Sequence, residues 1–308
     1  MKDAKKRFSR ALVAAAVAAM ALGRHQAAVA EEAADPAQWN DLPEEPYVEN
    51  APANPRIQFV MQAPGRERRE IWSISLDGKD VRRFMGADLL YSGDAQRIDD
   101  PVRSPDGRYI ACRGFTGDDV QIRLLVDRKT RTAKTLMSDA WGEAEFTWSP
   151  DSRTLYFYGG GEMWRYEVRS GALKKMPFIR ASKLRIVDGG RRFLAALKAG
   201  VEYRDLSGKL VSSWKLSKPA AAVAAISLDG RRILYDAPPR VFVVNPAVPG
   251  KKLAEFEEGF SSVTFGPDES SLFFVRRGNL TRLDIGMRSL TALRSFPEIA
   301  HDLTLVVR

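Results

Sequence analysis

The chain has 308 residues, 48 Lys and Arg against 39 Asp and Glu, two histidines and one cysteine, Cys112, for a formal charge of +9. A lone cysteine excludes an intrachain disulfide, and His301, the only histidine beyond residue 30, excludes a centre built from several imidazoles of one chain. Basic and acidic residues are interspersed, with no basic helix or aromatic-basic platform, so nucleic acid is not an expected partner.

Residues 1–30 open with Lys2, Lys5, Lys6, Arg7 and Arg10, continue through an apolar run from Ala11 to Gly23 and end in Ala28-Val29-Ala30. This is the layout of a secretory signal peptide, and the apolar run is shorter than the roughly 20 residues a spanning helix needs. The expected product is a periplasmic or secreted protein with no stable membrane insertion after cleavage; retention of the segment as an uncleaved anchor is the alternative. Segment 1–30 carries six basic residues and one acidic, so 42 cations remain against 38 anions and the charge falls to +4. Residues 31–55 are rich in Ala, Glu and Pro, without an apolar period, and are expected to form a mobile or extended tail or linker. Trp39, Leu42, Tyr47 and Val48 give that segment a second reading, as a partner-binding arm.

From residue 56 a unit repeats. Ser104-Pro105-Asp106-Gly107, Ser149-Pro150-Asp151-Ser152, Ser227-Leu228-Asp229-Gly230 and Gly266-Pro267-Asp268-Glu269 share one turn, with a degenerate copy at Ile186 to Gly190, at intervals of 38 to 45 residues. Propeller blades have this period. Proline presets a turn φ, aspartate accepts hydrogen bonds from nearby amides, and glycine tolerates positive φ. Asp106, Asp151, Asp229 and Asp268 are therefore expected to be structural turn residues. A residue recurring in nearly every blade solves a blade-level problem, not a catalytic one.

After each turn an apolar residue recurs at Ile110, Leu155, Phe193, Ile233 and Leu272, and again two further on at Cys112, Phe157, Ala195, Tyr235 and Phe274. This period of two marks a strand with a buried face and makes Cys112 a core residue. A second hairpin follows in each unit, clearest at Glu70 to Val81, Met163 to Gly171 and Val201 to Lys209. Six such hairpins predict an all-β, six-bladed β-propeller of four-stranded antiparallel blades over residues 56–308. The first blade lacks an aspartate turn, and the strand-like run Leu303 to Val307 at the chain end is expected to complete it, since an open ring exposes edges. Tyr47-Val48 is the other candidate for that strand.

Candidate chemistry is sparse. No G-x-S-x-G elbow occurs, and His301 reads as a loop or edge residue. The pairs Asp99-Asp100, Asp118-Asp119 and Glu257-Glu258 lack calcium-loop spacing and read as solvated loops. No catalytic residue, metal or cofactor is assigned, and an enzyme is the less favoured reading. The longest connections, Met61 to Arg69 and Met85 to Asp100, should be neighbours on the face opposite the aspartate turns, with Gly114 to Asp119 beside them. Arg66, Arg68, Arg69, Leu90 and Tyr91, joined by Trp141 from the next inter-blade run, are the candidate partner-binding residues, with packing between blades the other reading of Trp141.

The Ser-Pro-Asp-Gly turns, the apolar strand after each, and the outer hairpins with Trp72, Tyr166 or Tyr203 before Gly78, Gly171 or Gly208 resemble the WD-like repeats of the TolB family, over roughly Ile57 to Val307. The resemblance implies a TolB-type propeller. TolB proteins also carry a mixed helix-and-strand domain before the propeller, and here the proline-rich segment stands in that place. The function expected is a binding or scaffolding module for a protein partner in the cell envelope. A carbohydrate or cell-wall ligand, or a propeller lyase or hydrolase, is the alternative.

Overall fold

The computed structural model describes residues 39, 41–49, 54–91, 95–138, 141–142, 145–177, 179, 181–216, 220, 222–238, 240–248, 251–256, 261–297 and 300–306. The expected signal peptide, Glu257-Glu258 and Val307 lie outside the described residues.

Six four-stranded antiparallel sheets form the six blades. Blade 1 contains β1 (Arg56–Met61), β2 (Glu70–Ser75) and β3 (Val81–Met85); a four-residue helix, α1 (Ala87–Leu90), leads on to blade 2. Blade 2 holds β4 (Arg97–Arg103), β5 (Tyr109–Phe115), β6 (Gln121–Asp127) and β7 (Thr132–Met137). Blade 3 holds β8 (Phe146–Trp148), β9 (Thr154–Gly159), β10 (Glu162–Glu167) and β11 (Leu173–Met176). Blade 4 holds β12 (Lys183–Val187), β13 (Arg192–Leu197), β14 (Gly200–Asp205) and β15 (Leu210–Lys215). Blade 5 holds β16 (Ala222–Ile226), β17 (Ile233–Ala237), β18 (Arg240–Val244) and β19 (Lys252–Phe256), and blade 6 holds β20 (Ser261–Phe265), β21 (Ser271–Arg276), β22 (Asn279–Asp284) and β23 (Leu290–Ser295).

The last strand, β24 (His301–Val306), pairs antiparallel with β1, Arg56 facing Val306 and Ile57 facing Leu305, and becomes the inner strand of blade 1. Closure by the C-terminus holds. The pairing starts two residues earlier than the apolar run suggested, at His301, and Tyr47-Val48 forms no strand.

Each seam between neighbouring blades is filled by its own apolar cluster. Ile71, Leu90, Ile98 and Ile110 join blades 1 and 2, for example, and Val187, Leu194, Ile233 and Phe242 join blades 4 and 5. Burying such side chains contributes about 1.5–3 kcal/mol each, and β1 and β9, packed on both faces, are buried at every position. Cys112 is fully buried in the first of these clusters.

The recurrent turn is built alike in blades 2, 3 and 5. Ser104, Ser149 and Ser227 hydroxyls donate to Asp106, Asp151 and Asp229, whose carboxylates also accept the N–H of Arg108, Arg153 and Arg231. In blade 6 glycine replaces the serine, and Asp268 accepts instead from the Ser270 N–H and hydroxyl. Gly230 sits at φ +73°, and a Cβ there would come within 2.4 Å of Val187 in blade 4, so this turn needs glycine for both conformation and space.

Residues 39 and 41–49 lie extended against the ring. Trp39, 2% exposed, lies edge-on to Trp72 and Phe296 at centroid distances of 5.4 and 6.2 Å, completing the seam between blades 6 and 1. Glu45 N–H then donates to Arg83 O at 2.7 Å, so the segment runs along the outer edge of blade 1. One large aromatic anchor and a few charged contacts hold a segment that has no apolar period.

Candidate functional site

The connections between second and third strands and those between blades emerge on one face, opposite the aspartate turns. On this loop face the two longest connections are joined: Arg69 Nη1 lies 2.8 Å from Asp99 Oδ1, and the Arg68 guanidinium lies 4.9 Å above the Tyr91 ring. Beside them opens a cleft of about 730 Å³, lined by Arg68, Tyr91, Gln96, Thr116, Asp118 and Ser138 among others. Asp118 and Asp119 are exposed on the Thr116–Val120 loop, which is closed by Thr116 N–H to Val120 O.

The sequence-derived contact residues separate here. Arg68 is exposed and faces the cleft; Arg66 is half-buried, and its carbonyl accepts from Gln62 Nε2. Arg69 is engaged by Asp99. Leu90 is a correction: α1 turns it fully into the seam between blades 1 and 2, so it is unavailable to a partner. Tyr91 is 8% exposed and reaches the cleft wall, and burial pushes its phenol up to about 12. Trp141 is 64% exposed in the connection from blade 2 to blade 3, close in sequence to the cleft-lining Ser138.

Toward the centre of the ring lies a charged network that sequence reasoning missed. Asp99 and Asp100 belong to β4 instead of a solvated loop. Adjacent strand residues normally face opposite sides, but a bulge places Asp100 at φ 53°. Both carboxylates therefore reach Arg113, at 3.5 and 2.9 Å. Ser262 and Asp302 hold the same left-handed conformation at irregularities in β20 and β24. These positions are chained: Asp100 N–H donates to Asp302 Oδ2 at 2.9 Å, and Asp302 N–H donates to Ser262 Oγ at 3.0 Å.

Burial and the neighbouring Asp302 carboxylate raise the Asp100 pKa, with Arg113 opposing. Burial also acts on Asp302, but the hydrogen bonds from His301 and from the Asp100 N–H outweigh it and hold this carboxyl below its usual range. Across the ring Lys183 Nζ pairs with Glu145 at 2.7 Å; burial raises the Glu145 pKa against that pairing.

Asp99, His301 and Asp302 bring ligand atoms within 4.8 Å of one another. Their partners do not suit a cation. Asp99 is shared by Arg69, Arg97 and Arg113 at 2.8, 3.6 and 3.5 Å, and Asp302 already accepts from His301 and from a backbone amide. The arrangement fastens the ring instead of presenting a ligand set. A periodic charge pattern could not have revealed it, because it depends on bulges that re-aim single side chains.

No family model and no curated protein sequence matches the chain. Among solved structures it is similar to TolB from Acinetobacter baumannii, with 19% identity and a TM-score of 0.60 over 82% of this chain and 66% of that one. The chain folds as a TolB-type propeller. The match spans slightly less than two thirds of the TolB chain's own length. A nidogen/laminin complex provides a second similar fold, with 11% identity and a TM-score of 0.58 over 82% of this chain and 98% of that one. At these identities the TolB-type propeller and its relatives share architecture, and function must come from the site.

Proposed function

We propose that this TolB-type propeller is an exported binding or scaffolding module that engages a protein partner in the cell envelope through the loop face of blades 1 to 3. The observation that carries this is Trp141, 64% exposed on the face that holds the 730 Å³ cleft and the exposed Arg68. Trp and Arg are, with Tyr, the side chains most enriched at interface hot spots. The leader-like segment 1–30 supports export, and among the described residues no helix is long and apolar enough to cross a membrane. The similar fold in a nidogen/laminin complex belongs to a protein assembly, which agrees with this reading.

The test is affinity capture from the native envelope with the protein lacking residues 1–30, comparing wild type with Trp141→Ala and Arg68→Ala. Both variants should fold normally and lose the same retained protein. A partner held equally well by all three places the interface elsewhere.

A further inference from the structure

The opposite face, which carries the aspartate turns, shows how this propeller recognises an acidic extended segment, because it binds one of its own. Residues 44–49 contain Glu44, Glu45, Tyr47 and Glu49, and they meet the outer hairpin of blade 2. Arg131 donates to Glu44 at 2.8 Å, Arg128 to the Glu45 carbonyl at 2.8 Å, and Lys129 to Glu49 at 3.0 Å, while the Arg128 guanidinium lies 5.9 Å over the Tyr47 ring. Carboxylates on cations, with a tyrosine against an arginine, hold the segment in place.

A cleft of about 660 Å³ opens on the same face, at the seam between blades 2 and 3. The end of the arm adjoins it, since Arg128, which lies over the Tyr47 ring, also donates to Gly107 O at 3.3 Å, between Asp106 and Arg108 of the cleft wall. Much of the cleft's charge is already spent. Arg108 grips Asp127 with two nitrogens, and the Asp106 and Asp151 carboxylates are turned into their own serine turns. Three cations are left over. Arg153 is 80% exposed and no nearer than 4.0 Å to Asp151. Lys134 touches only the Tyr166 hydroxyl, at 3.4 Å, with its ammonium 5.3 Å over that ring. Arg169 is exposed and has no hydrogen bond or ion pair among the described residues. With Tyr109 and Tyr166 between them, these cations repeat the chemistry that holds the arm one seam earlier.

We propose that the cleft between blades 2 and 3 on the turn face docks an extended, acidic, tyrosine-bearing peptide segment of a partner protein. The inference goes beyond the loop-face reading and does not rest on it, because the two surfaces lie on opposite faces.

The probe is a fluorescein-labelled peptide with the sequence of residues 42–49, titrated by anisotropy against the full chain at low ionic strength. Its intramolecular counterpart occupies the first seam, which leaves the second free. Saturable binding that weakens with salt is expected, and Lys134→Ala/Arg153→Ala/Arg169→Ala should weaken it by about tenfold or more, three exposed charge contacts of typical size. Arg169→Glu alone tests the same point if the triple variant fails to fold, and a melt distinguishes the cases. A peptide with Gln in place of each Glu should not bind. The proposal is overturned by absent saturation, by equal binding of the Gln peptide, by unchanged affinity in the cleft variants, or by binding that Arg131→Ala abolishes and the triple variant leaves intact. The last result would mean that the probe merely exchanges with the arm. Trp141→Ala should have no effect on this binding, so the outcome is separable from that of the loop-face experiment.

Discussion

Asp302 Oδ2 accepts the backbone N–H of Asp100 at 2.9 Å, joining residues 202 positions apart at the point where the ring closes. Asp302 N–H simultaneously donates to Ser262 Oγ at 3.0 Å, so one residue of the closing strand is tied to blade 2 on one side and blade 6 on the other. Deleting residues 301–308 removes both ties and exposes the β1 edge. The loss should be several kcal/mol out of a typical total of about 5–15. Asp302→Ala, which keeps the strand, should cost only about 1–3 kcal/mol for the lost charged hydrogen bonds. Thermal melts of the two variants check this, and equal melting temperatures for wild type and truncation would show that closure contributes nothing.

The blade count was legible because the turn is solved locally. Ser104, Asp106 and Arg108, or Ser149, Asp151 and Arg153, satisfy their hydrogen bonds within five residues, so the same physical chemistry writes the same letters in successive blades. The site was harder to read because its residues are placed by tertiary geometry. Leu90 and Trp141 look equally available in the sequence, yet a single turn of helix buries one in a seam while the other stands in solvent. Asp99 and Asp100 look like a solvated pair until a bulge turns both to Arg113. Trp39 lacked any periodic signal, and its cue was the acidic run after it, complementary to the basic hairpin Arg128 to Arg131.

Trp39 fills the seam between blades 6 and 1 against Trp72 and Phe296. Replacing it with alanine opens a cavity that the surrounding strands cannot collapse into, at a cost of about 3–5 kcal/mol. Denaturant unfolding of Trp39→Ala should show a lower midpoint, and limited proteolysis should cut residues 41–49 faster than in wild type. A midpoint equal to wild type would show that the arm's burial is not coupled to ring stability.

Arg68 and Arg69 are adjacent yet should behave oppositely. Arg68→Ala removes an exposed cation and should leave stability within about 0.5 kcal/mol. Arg69→Ala leaves the largely buried Asp99 carboxylate with only its longer contacts to Arg97 and Arg113, at 3.6 and 3.5 Å, and should measurably lower the melting temperature. Matching melts for the two variants would contradict the assignment of Arg69 to the network instead of the contact surface.

The seam between blades 5 and 6 gives a pH dependence. Glu269, at the fourth position of its turn, reaches back to Asp229 of the preceding turn and lies near Arg232, 3.6 Å away. Burial, with the hydrogen bond to Asp229 adding to it, raises the Glu269 pKa to about 7, while the hydrogen bonds that Asp229 accepts outweigh burial and keep its own pKa lowered. The shared proton therefore sits on Glu269. An acid whose pKa is higher in the folded than in the unfolded chain binds more protons when folded, so stability falls as pH rises from the ordinary glutamate value of 4.5 toward about 7. Asp229 acts with the opposite sign and only at lower pH, as its carboxyl is held below the ordinary aspartate value of 3.8. Allowing for solvent screening, the Glu269 effect should be on the order of 1 kcal/mol. Glu269→Gln retains a donor toward Asp229 but cannot titrate. Melting temperatures measured between about pH 5 and pH 7.5 should decline in wild type and decline less in the variant, leaving the variant more stable at the upper end. Parallel curves for the two proteins would show that the proton is not held at this seam.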